Sequence, residues 1–223
     1  MQSRPQVIGI LGAGRVGTAL ARLAVAAGYD VRIATSRPAE EIALLVEIIT
    51  PGASAGAAAD VIAAADIVIL ALPLSKYRAL VPEQLAGKVV IDPMNYWAPT
   101  DGALAEFEGE HSSSEVIQRF LPSTRLVRSF NHMGYHEIEQ EARPAGDPHR
   151  RSLAVAGDDA EARAIVAAFI DRLGYDTVDA GPLAASRKFG TGTPIFGAGF
   201  SRAELAERLH GGSDALELSA GTE

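Results

Sequence analysis

A buried strand that runs straight into a spaced glycine turn leaves a chain few folds to choose from. Val7-Ile8-Gly9-Ile10-Leu11 is apolar throughout, and Gly12-Ala13-Gly14-Arg15-Val16-Gly17 follows without a break. The turn opens into Thr18-Ala19-Leu20-Ala21-Arg22-Leu23-Ala24, a good helix former. Strand, Gly-x-Gly-x-x-Gly and helix in that order make the first unit of a dinucleotide-binding sheet. Gly12 allows the tight turn, Gly14 lets backbone approach a pyrophosphate, and Gly17 lets helix pack on strand. The unpaired N–H groups at the helix start then face the phosphates.

The next strand, Asp30 to Ala34, says which dinucleotide. An NAD enzyme ends this strand with an acid that binds the ribose 2′-OH. Here Thr35-Ser36-Arg37 stands in that place. A hydroxyl and a guanidinium suit a 2′-phosphate, which a carboxylate would repel. The expected cofactor is NADP. Ser36 also suits a cap for the following helix, with Pro38 in its first turn.

Buried strands and helices then alternate, the pattern of a doubly wound α/β fold. Helix signals run from Glu40 to Ile49, a short strand from Ala53 to Ala55, and a small helix from Ala57 to Ala65. Asp66-Ile67-Val68-Ile69-Leu70-Ala71-Leu72-Pro73 and Lys88-Val89-Val90-Ile91-Asp92 read as strands buried on both faces. A helix is expected near Leu74 to Val81, a loop over Pro93 to Gly102, and a helix from Ser114 to Phe120. Arg125 to Phe130 reads as a strand, with Asn131-His132-Met133 at its carboxyl end. Ligands of open α/β sheets bind beyond those ends, so Asn95 and Asn131 are placed to face a reactive ring. Further on come a loop from Arg143 to Arg150, a strand from Ser152 to Gly157, and a long helix capped by Asp158. A strand from Tyr175 to Asp179 follows, then a helical Pro182 to Arg187 and a loop from Gly190. Ser201-x-x-Glu204 is a capping box for a last helix. The expected organisation is one Rossmann-type NADP-binding domain over 1–200, with a small α/β extension from about 150. A terminal helix and a disordered tail occupy 201–223.

Composition narrows the partners. The 223 residues are 48% hydrophobic, enough for a substantial core, and carry a net charge of −8, which argues against nucleic acid. No apolar run reaches membrane-spanning length, and the first strand begins too early for a secretory signal. The absence of cysteine excludes disulfides, thiolate catalysis and Cys-ligated metals. The expectation is a cytoplasmic protein acting on a small-molecule substrate or redox cofactor, away from membranes. A homodimer could bury Met133, Tyr96, Trp97 and Phe196 across a two-fold axis.

Taken together, Gly12-x-Gly14-x-x-Gly17, Ser36-Arg37, Leu72-Pro73, Gly157-Asp158-Asp159 and Asp179-Ala180-Gly181-Pro182-Leu183-x-x-Ser186-Arg187 resemble the F420H2:NADP oxidoreductases. The likeness spans roughly Val7 to Pro194. Val127-Arg128-Ser129-Phe130-Asn131 also resembles the NADPH-flavin domain of the six-transmembrane (STEAP) metalloreductases. The resemblance implies Ser36 and Arg37 on the 2′-phosphate, and the Leu72-Pro73 backbone with Asn95 beside the nicotinamide. It implies Asn131 and the Ser186-Arg187 neighbourhood beside a second ring, F420 or a flavin such as FMN or FAD. The chain departs from the family at Pro93 to Thr100, at Asn131-His132-Met133 and at its glycine-rich, charged C-terminus, all toward the second substrate.

Hydride transfer between stacked rings needs orientation more than a protein acid. The chain agrees, since it has no Tyr-x-x-x-Lys pair and no room for an all-helical dehydrogenase domain. Catalytic candidates are His132 and Asn131. Ser75-Lys76-Tyr77 reads as a helix start, and the His132/His136 spacing lacks further metal ligands, so the pair also reads as a rim histidine with a solvated partner. Arg187 suits either an anionic substrate group or a surface ion pair. The leading function is hydride transfer between NADP(H) and F420 or a flavin-like acceptor. Rivals are an NADPH-dependent flavin or ferric reductase, a small carbonyl or imine reductase using His132 or Tyr96, and a non-catalytic NADPH sensor.

Overall fold

Every apolar run named above becomes a strand. The computed structural model describes residues 6–211, and the tail expected to be disordered lies outside them. The strands are β1 (Val7–Leu11), β2 (Asp30–Ala34), β3 (Ala53–Ala55), β4 (Ile67–Leu70), β5 (Val89–Asp92), β6 (Arg125–Arg128), β7 (Ser152–Ala156) and β8 (Asp176–Gly181). Among the described residues they form one sheet of order β3-β2-β1-β4-β5-β6-β7-β8. β1 to β6 are mutually parallel, β7 runs against β6, and β8 runs with β7. This is the Rossmann-like α/β fold expected, and the extension lengthens the same sheet.

The helices are α1 (Arg15–Ala26), α2 (Ala39–Ile49), α3 (Ala58–Ala64), α4 (Pro82–Leu85), α5 (Ala98–Asp101), α6 (Ser113–Phe120), α7 (Glu137–Gln140), α8 (Ala160–Leu173) and α9 (Arg202–His210). Successive strand residues face opposite sides of the sheet. In β4, Ile67 and Ile69 join the core under α1 and α8 with Leu20 and Phe169, while Val68 and Leu70 join that under α3 and α6 with Ile62 and Ile117. Helices on both faces are why these strands carry no polar alternation. A third cluster, with Val178, Phe189, Ile195 and Leu205, seats the C-terminal segments on β7 and β8.

Several local expectations change. The helix expected at Leu74 to Val81 is a 3-10 segment, Leu74–Ala79, followed by α4. Leu183–Phe189 is likewise 3-10. The cap of α8 is Asp159, which accepts from the Ala162 N–H at 3.0 Å. Asp158 instead accepts from the Leu183 N–H at 2.9 Å and ties the extension down. Ser36 does not cap α2, whose N-cap is Pro38 without any side-chain bond. Of the residues proposed for a two-fold contact, Met133 is buried within the chain and Tyr96 stacks on Phe107, while Trp97 is exposed.

Candidate functional site

The sheet order puts β1 between β2 and β4, so the chain leaves β1 for one side and returns on the other. The carboxyl ends of β1, β2, β4, β5 and β6 line one edge, and the crevice of such a sheet opens at this switch. The glycine turn sits in its middle. Gly12 has φ +126°, and a Cβ there would lie 2.1 Å from the Ala71 carbonyl oxygen. A Cβ on Gly17 would lie 2.1 Å from the Gly12 carbonyl oxygen. Both glycines are therefore demanded by the protein itself. Gly14 differs: a Cβ there meets nothing within 4 Å. It is the N-cap of α1 and offers no side-chain cap, so the first N–H groups of that helix point into open space. Unpaired N–H groups at a helix start with free space before them suit an anion. Ala13 and Val16 flank this space and pack on the core.

Beyond β2, the Thr35 hydroxyl accepts from the Arg37 N–H at 3.1 Å and folds the turn. Ser36 and Arg37 are exposed, and Arg37 forms no ion pair with the described residues. On the other side, the Leu72 amide lies against the Gly12 turn, with Pro73 next to it at the surface. Arg15 spans the crevice: its guanidinium lies 5.0 Å over the Tyr135 ring and donates to the Tyr135 hydroxyl at 3.1 Å. A cation in the first turn of a helix opposes the helix dipole unless an anion joins it.

At the ends of β5 and β6 the structure brings together groups that the motifs did not reveal. Asp92 and Arg128 close their strands as a buried pair, with Arg128 Nη1 3.2 Å from Asp92 Oδ2. The Ser114 hydroxyl donates to Asp92 at 2.6 Å and the Met94 N–H at 2.9 Å. Arg128 donates further to the Met94 carbonyl and to Asn95 Oδ1, the latter at 2.8 Å. Asn95 Nδ2 in turn donates to the Asn131 carbonyl at 2.7 Å. The two asparagines picked out separately are thus one unit. The readable signal was a charge closing each of two strands directly after an apolar pair, Val90-Ile91 before Asp92 and Leu126-Val127 before Arg128.

His132 is 1% exposed and sits inside the protein rather than at a rim. Phe130, at φ 61°, takes the left-handed conformation that bulky residues avoid, and this turns the chain after β6. The Ser129 hydroxyl then donates to the Ala154 carbonyl at 2.9 Å, and His132 Nε2 accepts from the Ala154 N–H at 3.1 Å. Two side chains thereby supply to β7 the bonds that a neighbouring strand would have made. With Nε2 accepting, Nδ1 carries the proton and donates to Asn131 Oδ1 at 3.2 Å, while Asn131 Nδ2 donates to the Phe189 carbonyl at 2.9 Å.

Burial first, and then the nearby Arg151 and Arg128 charges, hold the His132 pKa down at about 3 from 6.5. Unfolding frees the ring to take a proton, so the folded state loses stability as pH falls from 6.5 toward 3. Between pH 7 and 5 the loss should be about 2 kcal/mol. His132→Gln, whose amide oxygen can still accept from Ala154, should flatten this slope in urea unfolding. An unchanged slope would place the ring in solvent.

A cleft of about 270 Å³ opens beside this network, lined by Asn95, Tyr96, Phe107, Arg128, Ser186 and neighbours. The extension closes one wall. The Ser186 hydroxyl bonds the Ser112 hydroxyl at 2.9 Å, and Arg187 binds both oxygens of Glu115 at 2.9 Å. This grip holds the Glu115 carboxyl at about 2 against an ordinary 4.5. A larger cavity of about 480 Å³ lies around Arg150 and Arg151. Those arginines are committed to Asp171 and Asp176 and to Glu137 and Glu141, and no expected site residue reaches it. Chemistry rather than size marks the site. Among the described residues, no helix is long and apolar enough to cross a membrane, and no group of three or more acidic or histidine side chains is gathered to hold a metal.

Comparison with known proteins points the same way. The family described as NADP oxidoreductase, coenzyme F420-dependent, matches residues 7–96. A candidate F420-dependent NADP-reductase from Arthrobacter sp. FB24 is 30% identical, with 81% of this chain and 86% of that one covered and a TM-score of 0.70. A hypothetical protein from Sinorhizobium meliloti is 28% identical, with 90% and 97% covered and a TM-score of 0.76. The rat (Rattus norvegicus) Metalloreductase STEAP3 is 24% identical over 183 residues, 81% of this chain. The chain spans about a third, 35%, of that relative's length. An imine reductase from Pseudomonas sp., 18% identical with 83% and 59% covered and a TM-score of 0.60, shares the fold.

Proposed function

The chain belongs to the F420-dependent NADP oxidoreductase family, and from that premise we propose that it passes hydride between NADP(H) and a deazaflavin (F420) or flavin-like acceptor. The observation that carries the reading is the cradle at Gly14, open where Gly12 and Gly17 are closed, with the exposed Ser36 and Arg37 beyond it. In the proposal, the first N–H groups of α1 and Arg15 hold the pyrophosphate. Thr35, Ser36 and Arg37 hold the 2′-phosphate. Gly12, Ala13, Val16 and Gly17 shape the bed. Leu72, Pro73 and Asn95 border the nicotinamide, which supplies the transferable hydride. The second ring enters the cleft walled by Tyr96 and Phe107. His132 and Asn131 brace the β6–β7 junction, and neither moves a proton.

The test is NADPH oxidation by the purified protein with F420, with FMN, and with no acceptor. Turnover with F420 supports the reading. Turnover with FMN alone supports a flavin or ferric reductase, which the likeness to the metalloreductase favours as the second reading. Tight NADPH binding with no turnover of any acceptor supports a sensor and sinks both. The 2′-phosphate contact has its own check. A hydrogen bond to a charged group is worth about 1.5–3 kcal/mol, so Arg37→Ala should weaken NADPH binding by roughly tenfold to a hundredfold. NADH binding should hardly move. Equal losses for both nucleotides would remove Arg37 from that role.

A further inference from the structure

The floor of the 270 Å³ cleft carries a charge that positioning two rings does not require. Arg128 lines the cleft yet is only 3% exposed. Its bonds to Asp92, Met94 and Asn95 use three N–H groups. A guanidinium has five, so two have no partner among the described residues. Asp92 is fully buried on Arg128 and Ser114 and does not line the cleft. The pair is therefore a dipole with its positive end at the cavity. The other charges at the cleft lie at its rim: Arg187 is tied to Glu115, and Glu110 and His111 are exposed. Tyr96 and Phe107 stack at 5.5 Å and 28° and give the cleft a flat aromatic side.

We propose that Arg128 sets the chemical class of the acceptor: a flat, neutral ring that gains negative charge on taking hydride, and not a cationic iminium. The inference rests on the hydride-transfer reading above. Transfer breaks a C–H bond of the dihydronicotinamide, and the hydrogen leaves with both electrons to form a new C–H or N–H bond on the acceptor. The nicotinamide becomes cationic and a neutral ring acquires one negative charge, spread onto its carbonyl oxygens, until water supplies a proton. Fixed donors aimed at developing charge stabilise that change most where water is excluded. An iminium arrives positive and is repelled by the same guanidinium.

The experiment uses lumiflavin as the probe, with NADP+ present so that nothing turns over. The N3–H ionisation of the flavin changes its absorption spectrum. Beside Arg128 its midpoint should fall by on the order of one pH unit. Arg128→Lys should keep most of the fall, and Arg128→Gln should abolish it. Because Arg128→Gln leaves Asp92 buried and unpaired, the combination of Asp92→Asn with Arg128→Gln serves as the neutral, folded control. In turnover, Arg128→Gln and the double variant should lose on the order of a hundredfold with FMN or F420, and Arg128→Lys less than tenfold. An N-methyl dihydroisoquinolinium should be a poor acceptor for the native protein and a better one for the double variant. Equal midpoints in native and double variant, no lumiflavin binding, or a native preference for the iminium would each overturn the inference. Absence of turnover with every acceptor would instead defeat the parent reading.

Discussion

Gly14→Val should give a protein that folds and no longer holds NADPH. The substitution is sterically free inside the protein, because a Cβ at Gly14 meets nothing within 4 Å and the residue has φ −79°. Valine accepts that backbone, so urea unfolding should move by no more than about 1 kcal/mol. The isopropyl group would fill the space in which the pyrophosphate approaches the start of α1. Loss of several charge-assisted bonds, each about 1.5–3 kcal/mol, should lower affinity by more than roughly a hundredfold. Gly12→Ala is the contrasting case. Its Cβ would strike the Ala71 carbonyl at 2.1 Å, in a conformation that only glycine adopts easily. That variant should lose stability first and binding only as a consequence. Full NADPH affinity in a folded Gly14→Val protein would move the ligand out of this crevice.

That contrast shows what the chain displays openly and what it conceals. The tight turn at Gly12, the close packing at Gly17, β2 at Asp30 to Ala34 and the capping box at Ser201 are local matters, settled by spacing and backbone geometry. They stand in the structure where the residues put them. The one-turn helices α4, α5 and α7 are another matter. A single turn cannot sustain itself in water, so packing creates them and periodicity cannot announce them. Asp158 and Asp159 are chemically equivalent caps, and only the position of Leu183 decides which one faces the helix. His132 looked like a rim residue because nothing in the sequence foretells the left-handed Phe130 that turns it inward. The Asn95–Asn131 unit depends on Arg128, which reached the resemblance only as one letter of a five-residue match. Its partner Asp92 lies 36 residues earlier, and only the parallel pairing of β5 with β6, Asp92 opposite Arg128, makes them neighbours.

Asp92→Ala should be the most destabilising single change at the site. It leaves the Arg128 guanidinium buried without its counter-charge and strips an acceptor from both the Ser114 hydroxyl and the Met94 N–H. Breaking one side of a buried pair costs about 3–5 kcal/mol. In a chain of this length that corresponds to a fall in melting temperature on the order of 10 °C. Removing both charges is a different perturbation. With Asp92→Asn and Arg128→Met together, no uncompensated ion remains, and much of the stability should return. The comparison separates two functions of the pair. If the charges chiefly hold the fold, the double variant stays marginal. If the double variant is stable yet releases Asn95 from its bond to Arg128, stability and positioning come apart, and the ion pair is retained for what it presents to the cleft. A stable Asp92→Ala protein, measured by urea unfolding at neutral pH, would mean that water reaches Arg128 and that the positive end of the dipole is screened. The same result would weaken the case for Arg128 as the group that chooses the acceptor, because a solvated guanidinium favours a developing anion far less than a buried one does.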